Sequence, residues 1–273
     1  MTISLAGPLL LVGAGKMGGA LLTGWLEQGL DAAGIFVQDP EPPADSLALL
    51  RAHGIVCAAA PELPAVPSVV VLAVKPQIMD AVLPTVRPHL GAGTVVLSIA
   101  AGRTVASLQR HLGEGTAIVR SMPNTPAAIG RGISVAHSSP AVTPDQAEHC
   151  IALLSAVGEV AWVDDEALLD PVTAVSGSGP AYVFLLTECL AEAGVEAGLD
   201  EALARRLARA TVSGAAELMR QSELEPATLR QNVTSPAGTT AAALQVLMDD
   251  DGLRRLMARA VAAAAERSRE LSD

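Results

Sequence analysis

Residues 232–240, Asn-Val-Thr-Ser-Pro-Ala-Gly-Thr-Thr, gather an amide, several hydroxyls and exposed backbone N–H groups without one charged side chain. They lead into Ala-Ala-Ala-Leu-Gln-Val-Leu at 241–247, a helical stretch. A helix N-terminus carries unpaired N–H groups and roughly +0.5 of an elementary charge, so this loop is able to hold a small carboxylate without an arginine. A Ser/Thr-capped helix after a proline turn fits the same residues. A second anion site is written near the start of the chain. There Leu9-Leu-Leu-Val12 runs into Gly13-Ala14-Gly15-Lys16-Met17-Gly18 and an amphipathic helix follows. A GxGxxG between the first strand and the first helix is where a dinucleotide loop belongs. Gly13 allows the tight turn, Gly15 lets backbone approach a pyrophosphate, and Gly18 lets helix pack on strand. A glycine-rich turn with no ligand is the bland alternative.

Three more segments extend the dinucleotide reading. Asp39 closes the second strand at the ~20-residue offset where an acidic side chain holds an adenosine ribose 2′-hydroxyl. Its neighbours Pro40-Glu41-Pro42-Pro43 offer no Arg or Lys to a 2′-phosphate, which leans the choice between NADPH and NADH toward NADH. Ala73-Val74-Lys75-Pro76 ends another strand with a lysine at its carboxyl edge, facing the cofactor cleft of an open α/β sheet. A strand-end lysine is also commonly a solvated loop charge. Ser98-Ile-Ala100-Ala101-Gly102 ends the next strand and brings small residues toward the nicotinamide.

The elements that position these groups alternate up to about residue 164. Leu9–Val12, Ile35–Val37, Val69–Val74, Val95–Ile99, Ala117–Arg120, Ile133–Ala136 and Gly158–Val163 read as strands, with helices at about 16–29, 77–89, 104–111 and 144–156. Such alternation implies a parallel sheet covered on both faces. Beyond Asp164 the apolar residues recur at helical spacing, as in Val183, Leu186, Leu190 and Ala193 or Leu203, Leu207, Ala210 and Leu218. The expected fold is α/β: a Rossmann-type, dinucleotide-binding parallel sheet over 1–164, then an all-helical substrate-binding and dimerisation domain over 165–273. Ala-dense helices of this length often complete their packing on a second subunit.

Composition narrows the setting. The formal charge of −11 with no basic patch argues against nucleic acid and against an anionic membrane. No apolar run reaches the ~20 residues that span a bilayer, and the start lacks the basic leader of a signal peptide. Cys57, Cys150 and Cys189 are odd in number and lack metal-ligand spacing, as expected of reduced thiols in a cytoplasm without a metal site. Lys16 and Lys75 are the two lysines. The histidines, His53, His89, His111, His137 and His149, show no partner pattern.

Four segments together resemble the Δ1-pyrroline-5-carboxylate reductase family: the loop at 13–18; Ala73–Pro76; Val119-Arg-Ser-Met-Pro-Asn-Thr-Pro126; and Ser176-Gly-Ser-Gly-Pro-Ala-Tyr-Val-Phe184 with 232–240. The resemblance implies NAD(P)H-dependent reduction of a cyclic imine to L-proline. It also implies a homodimer, with further assembly to a decamer open, and an active site between one subunit's Rossmann domain and the helical domains. It marks Ala73, Val74, Lys75 and Pro76 as cofactor contacts, and Met122, Pro123 and Asn124 as the loop beside the nicotinamide. Ser235, Gly238, Thr239 and Thr240 correspond to the substrate-carboxylate loop, Thr240 to its hydrogen-bonding threonine, Asn232 to the asparagine near substrate and carboxamide, and Glu223 to the glutamate near the ring. The family's Ser-Pro-Gly-Gly is here Ser235-Pro236-Ala237-Gly238, so either residue 237 has an ordinary φ or the loop is strained by about 1 kcal/mol.

The residues also bear on mechanism. With no lysine after Lys75 and no partnered histidine, no strong general acid stands out. A carbonyl needs a proton as hydride arrives, whereas a cyclic imine is able to bind already protonated. The N–H groups of Gly238, Thr239 and Thr240 are expected to hold the carboxylate, with the Thr240 hydroxyl as the catalytic group near the ring nitrogen. A two-domain reductase of another cyclic imine or a hydroxy acid, and a dinucleotide-binding regulator without turnover, remain alternatives at this point.

Overall fold

The computed structural model describes residues 3–272. Contacts divide the chain into two compact units, Met1–Gly177 with Ala264–Asp273, and Ser178–Ala263. The sequence boundary near 164 falls inside the first of these.

In the first unit eight strands form one sheet: β1 (Leu9–Val12), β2 (Ile35–Gln38), β3 (Val56–Ala58), β4 (Val69–Leu72), β5 (Val95–Ser98), β6 (Ala117–Met122), β7 (Gly132–Ser138) and β8 (Gly158–Trp162). Their order is β3-β2-β1-β4-β5-β6-β7-β8, the doubly wound arrangement with two strands added at one edge. Pairing is parallel from β3 to β6 and again between β7 and β8. β7 runs antiparallel to β6, which corrects the all-parallel expectation. The connection is the reason: only the 3-10 turn Thr125–Ile129, closed by Gly130 at φ 64°, joins β6 to β7. A parallel return needs a crossover of roughly a dozen residues or more.

The helices of this unit are α1 (Lys16–Glu27), α2 (Ala44–Ala52), α3 (Pro76–Val86), α4 (Val105–Leu112), α5 (Pro144–Ser155) and α6 (Leu169–Val172). Alternate strand residues point to opposite faces, so Leu9 and Leu11 pack with Leu21, Leu22 and Trp25 of α1 and with Leu153 and Leu154 of α5. Leu10 and Val12 pack with Met79, Leu83 and Val86 of α3 and Leu108 of α4. Burial of each such side chain contributes about 1.5–3 kcal/mol. The Trp25 indole N–H donates to the Leu153 carbonyl at 2.9 Å, so even the largest core residue has its polar atom paired. Two elements were not foreseen, α2 and β3. β3 is three residues long, and α2 has only Ser46 and Leu50 buried.

After α6, a π-helical turn at Thr173–Gly177 precedes the second unit. That unit is entirely helical: α7 (Gly179–Glu196), α8 (Glu201–Gln221), α9 (Pro226–Asn232), α10 (Thr239–Leu247) and the start of α11 (Leu253–Leu271). α7 and α8 form a hairpin. Gly198 at φ 100° turns the chain, and Asp200 caps α8 by accepting from the N–H groups of Ala202 and Leu203. Close approach comes from small residues, since a Cβ on Gly194 would stand 3.3 Å from that of Ala204. Ala204 and Ala208 are the buried residues of this unit. Phe184, Leu186, Leu190, Leu203, Leu207, Leu218 and Val246 are all exposed. Faces this apolar are the mark of an association surface. Among the described residues, no helix is long and apolar enough to cross a membrane.

Candidate active site

The dinucleotide loop is built by steric necessity. Gly13 has φ +93°, and a Cβ there would meet Val74 Cγ1 at 2.8 Å and the Ala73 carbonyl at 2.9 Å. A Cβ on Gly18 would stand 2.2 Å from the Gly13 carbonyl, so α1 could not seat on β1 with any other residue. At Gly15 nothing lies within 4 Å of where a Cβ would stand. The backbone there is free for a ligand to approach, and no side chain caps α1 and no acid sits in its first turn. These three glycines therefore fit a pyrophosphate on geometry as well as spacing. Ala73 and Val74 pack directly against the loop. Lys16 and Lys75 are exposed, Lys75 as the N-cap of α3 with Pro76 behind it.

Asp39 has backbone partners within the chain. It lies just past β2, and its Oδ2 accepts from the Ala14 N–H at 2.8 Å while its Oδ1 accepts from the Glu41 N–H at 2.9 Å. The carboxylate thus clamps the glycine loop itself. Ser46 adds a second clamp, donating its hydroxyl to the Ala14 carbonyl at 2.7 Å. Sequence reasoning missed Ser46, because a polar contact from a short helix leaves no apolar periodicity. The Cys57 thiol donates to the Asp39 carbonyl at 3.6 Å; burial and then the Asp39 charge push it up, so it stays protonated beside the loop.

The next two strand ends complete this half. Ala100 is buried after β5 and Ala101 is exposed. At the end of β6, Met122 is half-buried and Pro123 buried. Asn124 is committed to the fold: its Oδ1 accepts from the Ile133 N–H at 3.0 Å, and its Nδ2 donates to Ser176 Oγ at 3.2 Å. Gly177 follows, and a Cβ on it would stand 2.5 Å from Met122 Cε. A π-helical turn at such a point is a common marker of function.

The uncharged loop lies in the second unit. α9 ends at Asn232, and Thr234 closes that end with its N–H on the Gln231 carbonyl and its hydroxyl on the Arg230 carbonyl. Ser235-Pro236-Ala237-Gly238 then makes a tight turn, with the Gly238 N–H donating to the Ser235 carbonyl at 3.1 Å. Ala237 has φ +56°, the one positive φ at a non-glycine among the described residues. Proline second and a positive φ third is the type II pattern, which favours glycine at the third place. The strained branch of the sequence expectation is the one realised. Gly238 is closely packed in turn, since a Cβ there would stand 2.4 Å from Ser235 Oγ.

Gly238 is also the N-cap of α10, extended at φ −82° and ψ 175°, with no side-chain cap and no acid in the first turn. Its own N–H is used in the turn, which removes it from the expected carboxylate donors. The N–H groups of Thr239 and Thr240 remain at the helix end. Thr240 is half-buried; Asn232, Ser235, Thr239 and Glu223 are exposed. Among the described residues, the side chains of Asn232, Thr239, Thr240 and Glu223 make no hydrogen bond within the chain. A cleft of about 350 Å³ at the other end of α10 is lined by Leu244, Leu247, Met248, Leu253, Met257, Arg230 and Arg254, with no acid or histidine among them.

Comparison with known proteins agrees with this architecture. Residues 166–271 match the family model of pyrroline-5-carboxylate reductase dimerisation, and residues 9–102 match that of NADP oxidoreductase, coenzyme F420-dependent. The pyrroline-5-carboxylate reductase of Pseudomonas aeruginosa is 43% identical over 264 residues, covering 96% of each chain. The chain belongs to the pyrroline-5-carboxylate reductase family. The solved reductase of Coxiella burnetii superposes with a TM-score of 0.90 at 34% identity, over 98% of this chain and 100% of that one. The Plasmodium falciparum reductase, solved with NADP bound, gives 0.81 at 29% identity over 98% and 99%. The exposed faces of α7, α8 and α10 thus lie within the dimerisation region of a self-associating reductase family.

Proposed function

We propose that this chain reduces 1-pyrroline-5-carboxylate to L-proline with NADH or NADPH, the last step of proline biosynthesis, and that the N-terminus of α10 receives the substrate carboxylate. Family membership supports the reaction. The observation that carries the site is the uncapped, acid-free end of α10 on the Ser235–Gly238 turn. The N–H groups of Thr239 and Thr240 hold the carboxylate, and holding it fixes which face of the ring is presented. The Thr240 hydroxyl partners the ring nitrogen, with Asn232, Ser235 and Glu223 around the substrate. The dinucleotide, when bound, supplies the hydride. Gly13, Ala14, Gly15, Lys16, Met17 and Gly18 cradle its pyrophosphate, and Ala73–Pro76, Ala100, Ala101 and Met122–Asn124 shape its bed. Since the imine binds already protonated, the chain needs no strong general acid, and it offers none.

Asp39 leans the choice toward NADH, because its carboxylate beside the glycine loop repels a 2′-phosphate. The working unit is a homodimer, and three free cysteines suit a reducing, cytoplasmic setting. The test is a spectrophotometric assay with pyrroline-5-carboxylate and each dinucleotide. Thr240→Ala is expected to lower kcat/KM for the imine by about tenfold or more, as expected when a group positioned in the transition state is lost. A fully active Thr240→Ala enzyme would remove Thr240 from the site.

A further inference from the structure

Glu166 lies outside every motif discussed above, yet one of its oxygens joins two strand-end loops. Arg120 on β6 is only 8% exposed, and its guanidinium meets Glu166 Oε1 at 2.5 Å. The same oxygen accepts from the N–H of Val105, the first residue of α4, at 2.7 Å. A carboxylate at a helix N-terminus is favoured by the unpaired N–H groups there, and a buried guanidinium requires a compensating charge. Glu166 supplies both with one side chain.

The two elements it joins are the ones that deliver the dinucleotide-side residues. Val105 follows the β5–α4 loop carrying Ala100 and Ala101. Arg120 stands two places before Met122, which opens the loop running through Pro123 to Asn124. Farther along the same segment, Ser176 accepts from Asn124 and Gly177 lies against Met122. Residues 166–177 therefore grip the β6 loop at both ends, and Glu166 also reaches the residue that closes the β5–α4 loop.

We infer that Glu166 is a positioning residue of the reductase: its carboxylate sets the register between the β5–α4 loop and the Met122–Asn124 loop, and thereby the bed of the dinucleotide. The inference rests on the proposed role of those loops in holding the cofactor.

Three variants test it, each read by dinucleotide Kd from tryptophan-fluorescence titration with NADH and NADPH, by KM for dinucleotide and for imine, and by Tm. Glu166→Ala removes both contacts and is expected to raise dinucleotide Kd and KM by about tenfold or more while the imine KM stays within about twofold. Glu166→Gln keeps an oxygen for Val105 and Arg120, so its Kd should lie within about threefold of the parent although its Tm falls with the lost charge. A merely structural ion pair predicts the opposite, Kd tracking Tm across both variants, and that result overturns the inference. So does an unchanged Kd in Glu166→Ala. Should Glu166→Ala fail to fold, the pair Arg120→Met/Glu166→Ala, which strands no charge, is held to the same outcomes. Ala101→Leu, at an exposed position, separates the two levels. If it too leaves Kd unchanged, the loops do not touch cofactor and the reading beneath the inference fails as well; if it alone raises Kd, only the role of Glu166 is overturned.

Discussion

Helices α1 and α10 both begin without a side-chain cap, and their surroundings differ in an instructive way. At α1, glycine occupies each demanding position: the positive φ at Gly13, the open approach at Gly15 and the close packing at Gly18. The loop sits on a sheet whose central strands, β1, β2, β4 and β5, are buried throughout. At α10, the positive φ falls on Ala237, in a unit where Ala204 and Ala208 are the buried residues. The first site is held by its own core. The second is held by a strained turn within helices whose apolar faces are left open for self-association. Strain of about 1 kcal/mol persists only where the surrounding structure over-determines it, which fits a loop kept for its N–H groups.

Matched glycine substitutions test that contrast with the largest effect. Gly18→Ala should weaken dinucleotide binding by about a hundredfold, or block folding of the first unit, because its Cβ would collide with backbone. Gly238→Ala collides chiefly with the Ser235 hydroxyl, which is able to rotate, and presses on the Ser235 carbonyl at 3.2 Å. It should raise the imine KM about tenfold and leave dinucleotide Kd within about twofold. Parallel titrations and steady-state kinetics check both.

The packed core of the first unit also predicts a pH signature. Burial pushes the Cys150 thiol from its ordinary 9.0 up to about 12. Between those values the unfolded chain gives up this proton and the folded chain keeps it. Stability from this group is therefore complete below pH 9 and declines as pH rises toward 12, by about 1.4 kcal/mol per pH unit. Chemical denaturation of the parent and Cys150→Ala at pH 8, 9 and 10 should show a steeper fall in the parent, the remainder in the variant coming from groups such as the raised Cys57 thiol. A smaller effect belongs to the strained turn. Ala237→Gly should raise stability by about 1 kcal/mol with kcat/KM nearly unchanged, since the N–H groups of Thr239 and Thr240 are untouched.

Much of this was legible in the residues. Central strands buried on both faces read as continuous apolar runs, and the shorter apolar patterns of β6, β7 and β8 brought the visible strands to seven of the eight. β3 was not, being three residues long, nor was α2, which meets the glycine loop through the Ser46 hydroxyl. The antiparallel β7 depended on the length of one connection. At the sites, the glycine spacing carried its own steric logic, whereas Asp39 was legible as an acid but not as a clamp on Ala14. Its partner is set by loop geometry that no spacing rule encodes. The departure at Ala237 was legible in advance as a choice between an ordinary φ and strain. Only the backbone angle could decide it.

The central claim is that backbone N–H groups at the start of α10 bind the substrate carboxylate. Proline is well tolerated at the first position of a helix, and Gly238 before it is already extended, so Thr239→Pro deletes one of those N–H groups while leaving the helix intact. The direct measurement is the ratio of kcat/KM for 1-pyrroline-5-carboxylate to that for 1-pyrroline, which lacks the carboxylate. The account predicts that Thr239→Pro lowers this ratio by about tenfold, the loss expected for one charge-assisted hydrogen bond. An unchanged ratio in a folded, dinucleotide-binding variant would contradict it.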